Sequence, residues 1–265
     1  MMEPVPRRRR WIFFLALFLI LASFFVGAAW LWEQQTGQSE NHYYTYEVIL
    51  SFNTTIENVT LLLPLPEKNG TPLPVDPLVN GTVYGVPPDW NLSIENVNGT
   101  PVLAIRADRM VAEYHAFPIQ IEPGESLLPA TLPPGTEYSA GRPVPMPVML
   151  SVMVPVPVNH TLNTRDPLSR EPVFHPRGTF LPALPTTPVY RGSLYVHSVP
   201  VFIRFTSGHP ATVSLQMRVQ GTNSIWRGGW VSNLYSDTVT LDVPNGTQGW
   251  LEGKGTLLTG EGIYY

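Results

Sequence analysis

From residue 11 to residue 32 the chain runs for twenty-two residues without a charge, with Arg7, Arg8, Arg9 and Arg10 before it and Glu33 after it. Thirteen of these residues are Leu, Ile, Phe or Val. At about 1.5 Å of rise per residue a helix of that length covers roughly 33 Å, enough to cross a hydrocarbon core of about 30 Å. The pattern predicts one transmembrane helix over residues 11–32. Basic residues beside a span stay on the cytoplasmic side, and after Arg10 no Lys or Arg occurs until Lys68. Residues 1–10 therefore read as a cytoplasmic basic tail of a single-pass cell-membrane protein, and residues 42–265 as its extracellular part. Trp11, Trp30 and Trp32 bracket the run, where indole rings favour the water boundary. A cleaved signal peptide is the rival reading, because Gly27, Ala28 and Ala29 supply small residues at a cleavage position. The apolar run continues past them to Trp32, whereas a signal core is about 7–15 residues long, so a retained anchor is expected.

After a polar spacer at 33–41 the period changes to two. Tyr44, Tyr46, Val48, Leu50 and Phe52 alternate with more polar neighbours over 42–52, as a half-buried strand requires. A second strand over 58–63 is stopped by Pro64 and Pro66, which lack the N–H of a central ladder. Strands at 91–97 and 101–107 flank Asn98-Gly99, the preferred two-residue hairpin turn, and a further extended run follows at 112–121. Residues 123–188 hold fifteen prolines in sixty-six positions, so only 148–154 reads there as a buried strand. The rest reads as polyproline-like excursions over a β scaffold, docked through Phe174, Phe180, Leu181 and Leu184, with a disordered linker as the alternative. Strands return at 194–205 and 211–220. In the second, Val213, Leu215, Met217 and Val219 form one face, against Ser214, Gln216, Arg218 and Gln220 on the other. A last strand over 237–243 ends at Pro244. No other stretch has helical period with caps. The expected fold is all-β: an antiparallel two-sheet β-sandwich of eight to ten strands over 42–265, with a proline-rich insertion at 123–188.

Composition narrows the function. The chain has no cysteine, which excludes disulfides, a thiol nucleophile and a lipid-modified cysteine. Beyond residue 32 twelve Arg and Lys face nineteen Asp and Glu, and the whole chain has two lysines; this disfavours nucleic acid, whose phosphates need a basic patch. Eight of thirteen asparagines begin N-x-S/T, namely Asn53, Asn58, Asn69, Asn80, Asn91, Asn98, Asn159 and Asn245, where the Ser and Thr content predicts about two by chance. That excess points to N-glycosylation and so to an outside location. Four of the eight read Asn-Gly-Thr, which serves equally well as a turn. The basic N-terminus, single anchor, dense sequons, missing cysteine and the run NVTLLLPLP at 58–66 together resemble uncharacterised membrane-anchored, N-glycosylated exported proteins of archaea. The resemblance is one of layout and implies no particular activity.

Catalytic and metal motifs are missing. No two of His42, His115, His160, His175, His197 and His209 are spaced for joint ligation, and there is no H-E-x-x-H, G-x-S-x-G, phosphate loop or calcium loop. No catalytic residue, metal ligand or cofactor is assigned, and the chain is read as a non-enzyme. The alternative, an extracytoplasmic hydrolase, would centre on His160 with Asp166 in NHTLNTRD, a stretch that reads equally as a polar loop beside a glycan. More suggestive are Trp226, Trp230, Tyr235 and Trp250, since exposed Trp and Tyr serve glycan stacking and protein contact; core packing is the rival role. Trp226, Trp230 and Tyr235 are the candidate partner-binding residues, with the two Trp presented by a turn at Gly228-Gly229. Six sequons lie between Asn53 and Asn98 and none begins between His160 and Pro244, which leaves the later strands as accessible protein surface. The function expected is a surface binding or structural module, held by membrane lipid and touching an envelope protein or glycan.

Overall fold

The computed structural model describes residues 7–74, 88–112, 114–117, 144–147, 150–184, 192–244 and 246–260. Asn80, Asn245 and residues 118–143 lie outside the described residues. Helix α1 (Arg7–Gln38) contains a stretch, Phe14–Gln34, that is long and apolar enough to cross a membrane and is left unburied by the rest of the protein. It does not stop at residue 32. The presumed spacer is helical through Gln38, because Glu33, Gln34, Gln35 and Gln38 are good helix formers. The first strand follows at Asn41.

The strands are β1 (Asn41–Phe52), β2 (Ile56–Pro64), β3 (Glu67–Lys68), β4 (Thr71–Pro72), β5 (Asn91–Val97), β6 (Thr100–Met110), β7 (Tyr114–Phe117), β8 (Val144–Pro147), β9 (Leu150–Val158), β10 (Leu181–Ala183), β11 (Leu194–Thr206), β12 (Val213–Trp226), β13 (Trp230–Val243) and β14 (Gly249–Leu258), with a one-turn helix α2 (Pro167–Arg170) before β10. All ladders are antiparallel. Ten strands form one continuous sheet in the order β5-β6-β2-β11-β14-β13-β12-β1-β9, with β10 on β11. The β3-β4 and β7-β8 pairs stand apart.

The β-rich expectation holds, but the layering differs. Instead of two stacked sheets there is one sheet curled into a half-barrel. Strands of thirteen and fourteen residues accumulate right-handed twist and bend the sheet around its own apolar face. Val213, Leu215, Met217 and Val219 are all buried, as are Tyr44, Tyr46, Val48, Leu50 and Phe52. Alternation reveals that a face is buried but not what covers it. Part of the cover comes from the proline-rich region, where Leu162 and Phe174 are buried and Leu168 and Phe180 pack at the margin of the core. Leu181 and Leu184 remain exposed.

Two local predictions were too strict or too short. Strand β9 continues through Pro155 and Pro157, which read as breakers, because it is the last strand on its side of the sheet. N–H groups alternate sides along a strand, so prolines two apart remove donors from one side only, and an edge has a side without a partner. Strand β14 was not predicted at all. Its inward positions include Gly253 and Gly255, which erase the apolar alternation. A Cβ on Gly255 would fall on the His197 ring, and one on Gly253 would meet Val239 Cγ1 at 2.6 Å. Gly255→Ala is therefore expected to destabilise the protein by about 1–3 kcal/mol in a denaturant titration, while Lys254→Ala on the exposed face stays within about 0.5 kcal/mol of the parent. The two Asn-Gly turns that lie wholly within the described residues form as expected. Asn69 and Gly70 have φ of 52° and 74°, and Asn98 and Gly99 have 53° and 88°, the left-handed pair that a tight hairpin needs.

Candidate functional site

The outer face of the sheet carries a cleft of about 370 Å³ where β11 and β14 meet the β5-β6 turn. Alternation puts Ser198, Pro200 and Phe202 outward on β11, and Trp250 and Glu252 outward on β14, with Phe202 directly opposite Trp250 and Pro200 opposite Glu252. The Phe202 and Trp250 rings meet edge to face at 5.5 Å. That contact props up the indole, which is 48% exposed and forms one wall. Val97 and Asn98 come from the β5-β6 turn, and Glu67, His175 and Arg177 complete the rim.

Residues 173–177 fill the space beyond the end of β2. Glu67 and Val173 exchange backbone hydrogen bonds at 2.9 and 3.2 Å, and Arg177 N–H donates to Ser198 O at 3.0 Å. These bonds bring the charges to the rim. His175 Nδ1 lies 3.0 Å from Glu67 Oε1. The Arg177 guanidinium pairs with Glu252, whose other oxygen accepts from Ser198 Oγ at 3.0 Å. An apolar wall beside two carboxylates, one paired with an imidazole and one with a guanidinium, suits a ring with an apolar face and a hydroxyl-bearing edge. The volume lies near the lower end of small-ligand pockets, about 300–1,000 Å³.

This cleft is far from the helix. Trp226, at the tip of the β12-β13 hairpin, touches α1 through Trp32. Strand β13 leads away from that tip for fourteen residues, roughly 40 Å at about 3.3 Å per residue. Lys254 pairs with Thr240 near the far end of β13, and Trp250 lies four residues beyond Lys254 in that direction.

Trp226 and Trp230 form the last cross-strand pair of the hairpin and are 36% and 69% exposed. Tyr235 requires a correction, for it is 0% exposed. Its hydroxyl donates to Pro172 O at 2.8 Å, so it pins the cover of the core instead of meeting a partner. Asn53, Asn58, Asn69, Asn91, Asn98 and Asn159 are all exposed. Asn58 and Asn91 also line a second, polar groove of about 470 Å³ together with Arg106 and Arg204. His160 and Asp166 are exposed, and no hydrogen bond joins them among the described residues. Asp166 instead accepts from Ser169 Oγ at 2.8 Å and donates its N–H to Asn163 Oδ1 at 2.9 Å, as a polar turn does.

A polar cluster that the sequence did not reveal lies inside the half-barrel. His197 Nε2 is 2.8 Å from Asp237 Oδ1, with both side chains fully enclosed. Phe174 N–H donates to Asp237 Oδ2 at 2.9 Å, Tyr44 donates to Glu171 Oε2 at 2.5 Å, and Asn163 N–H donates to Glu171 Oε1 at 2.6 Å. Burial, and then the hydrogen bond to Glu171, push the Tyr44 phenol well above its ordinary range. Tyr235 is raised chiefly by burial, and next by the charges of its neighbours. The cluster ties residues 163–174 to the sheet and has no opening to solvent through His197 or Asp237.

Compared with known protein families, with curated proteins and with solved structures, the chain matches none. No group of three or more His, Asp or Glu suited to a metal occurs among the described residues. Of the cleft residues, Trp250 stood out in the sequence as an aromatic and Asn98 as a sequon at a predicted turn. Glu67, His175, Arg177 and Glu252 lie on segments far apart in the chain, with no local spacing to betray them.

Proposed function

We propose that this chain is a membrane-anchored cell-surface binding module that holds an envelope glycan in the cleft over Trp250. The helix would be the anchor, with the N-terminus cytoplasmic and the β domain outside, and the exposed sequon asparagines would carry N-linked sugars. The observation that carries the reading is the propped, half-exposed indole of Trp250 sharing one cleft with the Glu67–His175 and Arg177–Glu252 pairs, at the end of the domain away from the helix. Saccharide rings present C–H groups to an indole and hydroxyls to charged groups, and both partners are present here.

The test is binding of defined oligosaccharides, displayed as an array, to the full chain in nanodiscs. Trp250→Ala is expected to weaken the best ligand by roughly thirtyfold or more, the equivalent of about 2 kcal/mol for an interface anchor. Its folding midpoint should barely move, since the indole is half exposed. If no saccharide binds, or if Trp250→Ala binds as tightly as the parent, the reading fails. Thr100→Ala removes the Asn98 sequon without changing the Asn-Gly turn, and so distinguishes an added ligand from the protein's own sugar at the cleft rim.

A further inference from the structure

The membrane helix and the aromatic hairpin are far apart in sequence, yet they touch. The rings of Trp32 and Trp226 lie 5.6 Å apart, and a side chain at Gly228 would meet the Trp32 ring at 3.6 Å. Trp226 N–H donates to Ser39 Oγ at 2.9 Å, just beyond the end of α1. Only two residues separate α1 from β1, so the sheet has no slack with which to stand off from the helix end. The tip is therefore held at the level of Trp32, two residues before the apolar stretch ends at Gln34.

The tip is also exposed in a particular way. Trp230 is 69% exposed, Trp30 61% and Trp32 50%. Arg227 is exposed at the turn, with no ion-pair partner among the described residues. Gly228, with φ of 80°, and Gly229 let the chain reverse in three residues, so that Arg227 is the one bulky side chain in the turn between Trp226 and Trp230. Indoles with a neighbouring cation are the side chains that partition to the boundary between acyl chains and phosphates. An envelope protein contact is the other use of such a tip, but it would have to share a level already set by the helix.

We propose that the Trp226–Trp230 tip is a second membrane contact, seated in the lipid headgroup layer beside Trp32. The indoles lie at the acyl boundary and Arg227 faces lipid phosphate. The sheet thus stands on the bilayer at two points, the helix end and the hairpin tip, which keeps the β domain from swivelling about a single tether and points the Trp250 end away from the membrane. This rests on the reading of α1 as a membrane span.

The missing cysteines make a direct test available. Single labels are placed at Ser23→Cys within the helix, Gly229→Cys at the tip, where a Cβ meets nothing within 4 Å, and His209→Cys in the turn at the far end of β12. The full chain carrying an environment-sensitive fluorophore is reconstituted in vesicles of phosphatidylcholine and phosphatidylglycerol, with nitroxide quenchers either on the headgroup or deep in the acyl chain. Label 23 is expected to be quenched by the deep probe, label 229 by the headgroup probe, and label 209 by neither. Adding Trp230→Ala to Gly229→Cys should abolish most of the quenching at 229 while leaving the folding midpoint unchanged. If label 229 behaves like label 209 while label 23 is quenched deeply, the anchor stands and the lipid seat is refuted, which leaves the tip to a protein partner. Unchanged quenching with Trp230→Ala refutes the role of the indoles. A label at 23 that the deep probe does not quench removes the membrane span, and this proposal with it.

Discussion

Asp237→Ala should cost about 2–6 kcal/mol, at about 1–3 kcal/mol for each of the two buried donors it leaves unsatisfied, out of a total stability of about 5–15 kcal/mol. Asp237 accepts from two directions, the His197 ring on β11 and the Phe174 N–H in the covering segment, and its side chain is 0% exposed. Alanine leaves an imidazole and an amide buried without an acceptor. His197 Nδ1 already has no hydrogen-bond partner, so the ring has no second contact to fall back on. The loss should be local as well as global. Amide exchange around Phe174 is expected to accelerate more than exchange in β12, because this hydrogen bond joins the cover to the sheet. Asp237→Asn keeps an acceptor for one of the two donors and should be milder. Asp242→Ala on the exposed face of the same strand removes only the contact from Ser214 Oγ and should stay within about 0.5 kcal/mol of the parent. Chemical denaturation of the three variants in detergent micelles checks the order. Equal midpoints for Asp237→Ala and Asp242→Ala would show that the cluster does not hold the cover.

Above about pH 10 the protein is expected to unfold cooperatively as its buried phenols are forced to ionise. Tyr46 is raised by burial alone, Tyr44 by burial and then by Glu171, and Tyr235 by burial and then by Tyr44, Glu171 and Asp237. In the unfolded chain these phenols titrate near their ordinary pKa of about 10, while in the folded chain they keep their protons to higher pH. Their contribution is therefore fully present below about pH 10 and is lost as the pH climbs from there toward the folded values. Tyr46 removes up to about 1.4 kcal/mol per pH unit in that window, roughly 2.5 kcal/mol by about pH 12, and Tyr235 adds to the loss. Tyr44 acts in the same direction. Phenolate absorbance and far-ultraviolet circular dichroism, followed together, should show these three tyrosines ionising in one step with loss of strand signal. Tyr46→Phe removes one titrating group and only a long 3.5 Å contact to Pro64 O, so it should flatten the alkaline loss with little cost at neutral pH. Gradual ionisation with the strand signal intact would contradict the burial of these groups.

What was legible from the residues alone was whatever depends on neighbours a few positions away. The uncharged run at 11–32 declares a helix able to cross a membrane, since length and polarity decide that. Period-two alternation placed β1 within a residue and the start of β12 within two, though β12 runs six residues further, to Trp226, and it identified which side chains of each are buried, because successive residues of a strand must face opposite ways. Asn98-Gly99 declared its hairpin through the left-handed dihedrals that few other residues adopt at low cost. The sequons and the absence of cysteine were likewise plain.

Tertiary structure decided everything that depends on which distant segment lies opposite. Whether the apolar faces are closed by a second sheet or by curling is a matter of accumulated twist, and no single strand records it. Pro155 and Pro157 are acceptable because β9 lies at an edge, and Gly253 and Gly255 belong to a strand because His197 and Val239 occupy the space their side chains would need. Tyr235 and Trp230 are both aromatic residues of one strand, but an odd separation puts Tyr235 inside and Trp230 at the tip. The cleft over Trp250 and the contact between Trp32 and Trp226 each join residues far apart in the chain. Proximity of that kind arises only when the ladders fix the register, and so the side chains that carry the proposed binding could not announce themselves by spacing.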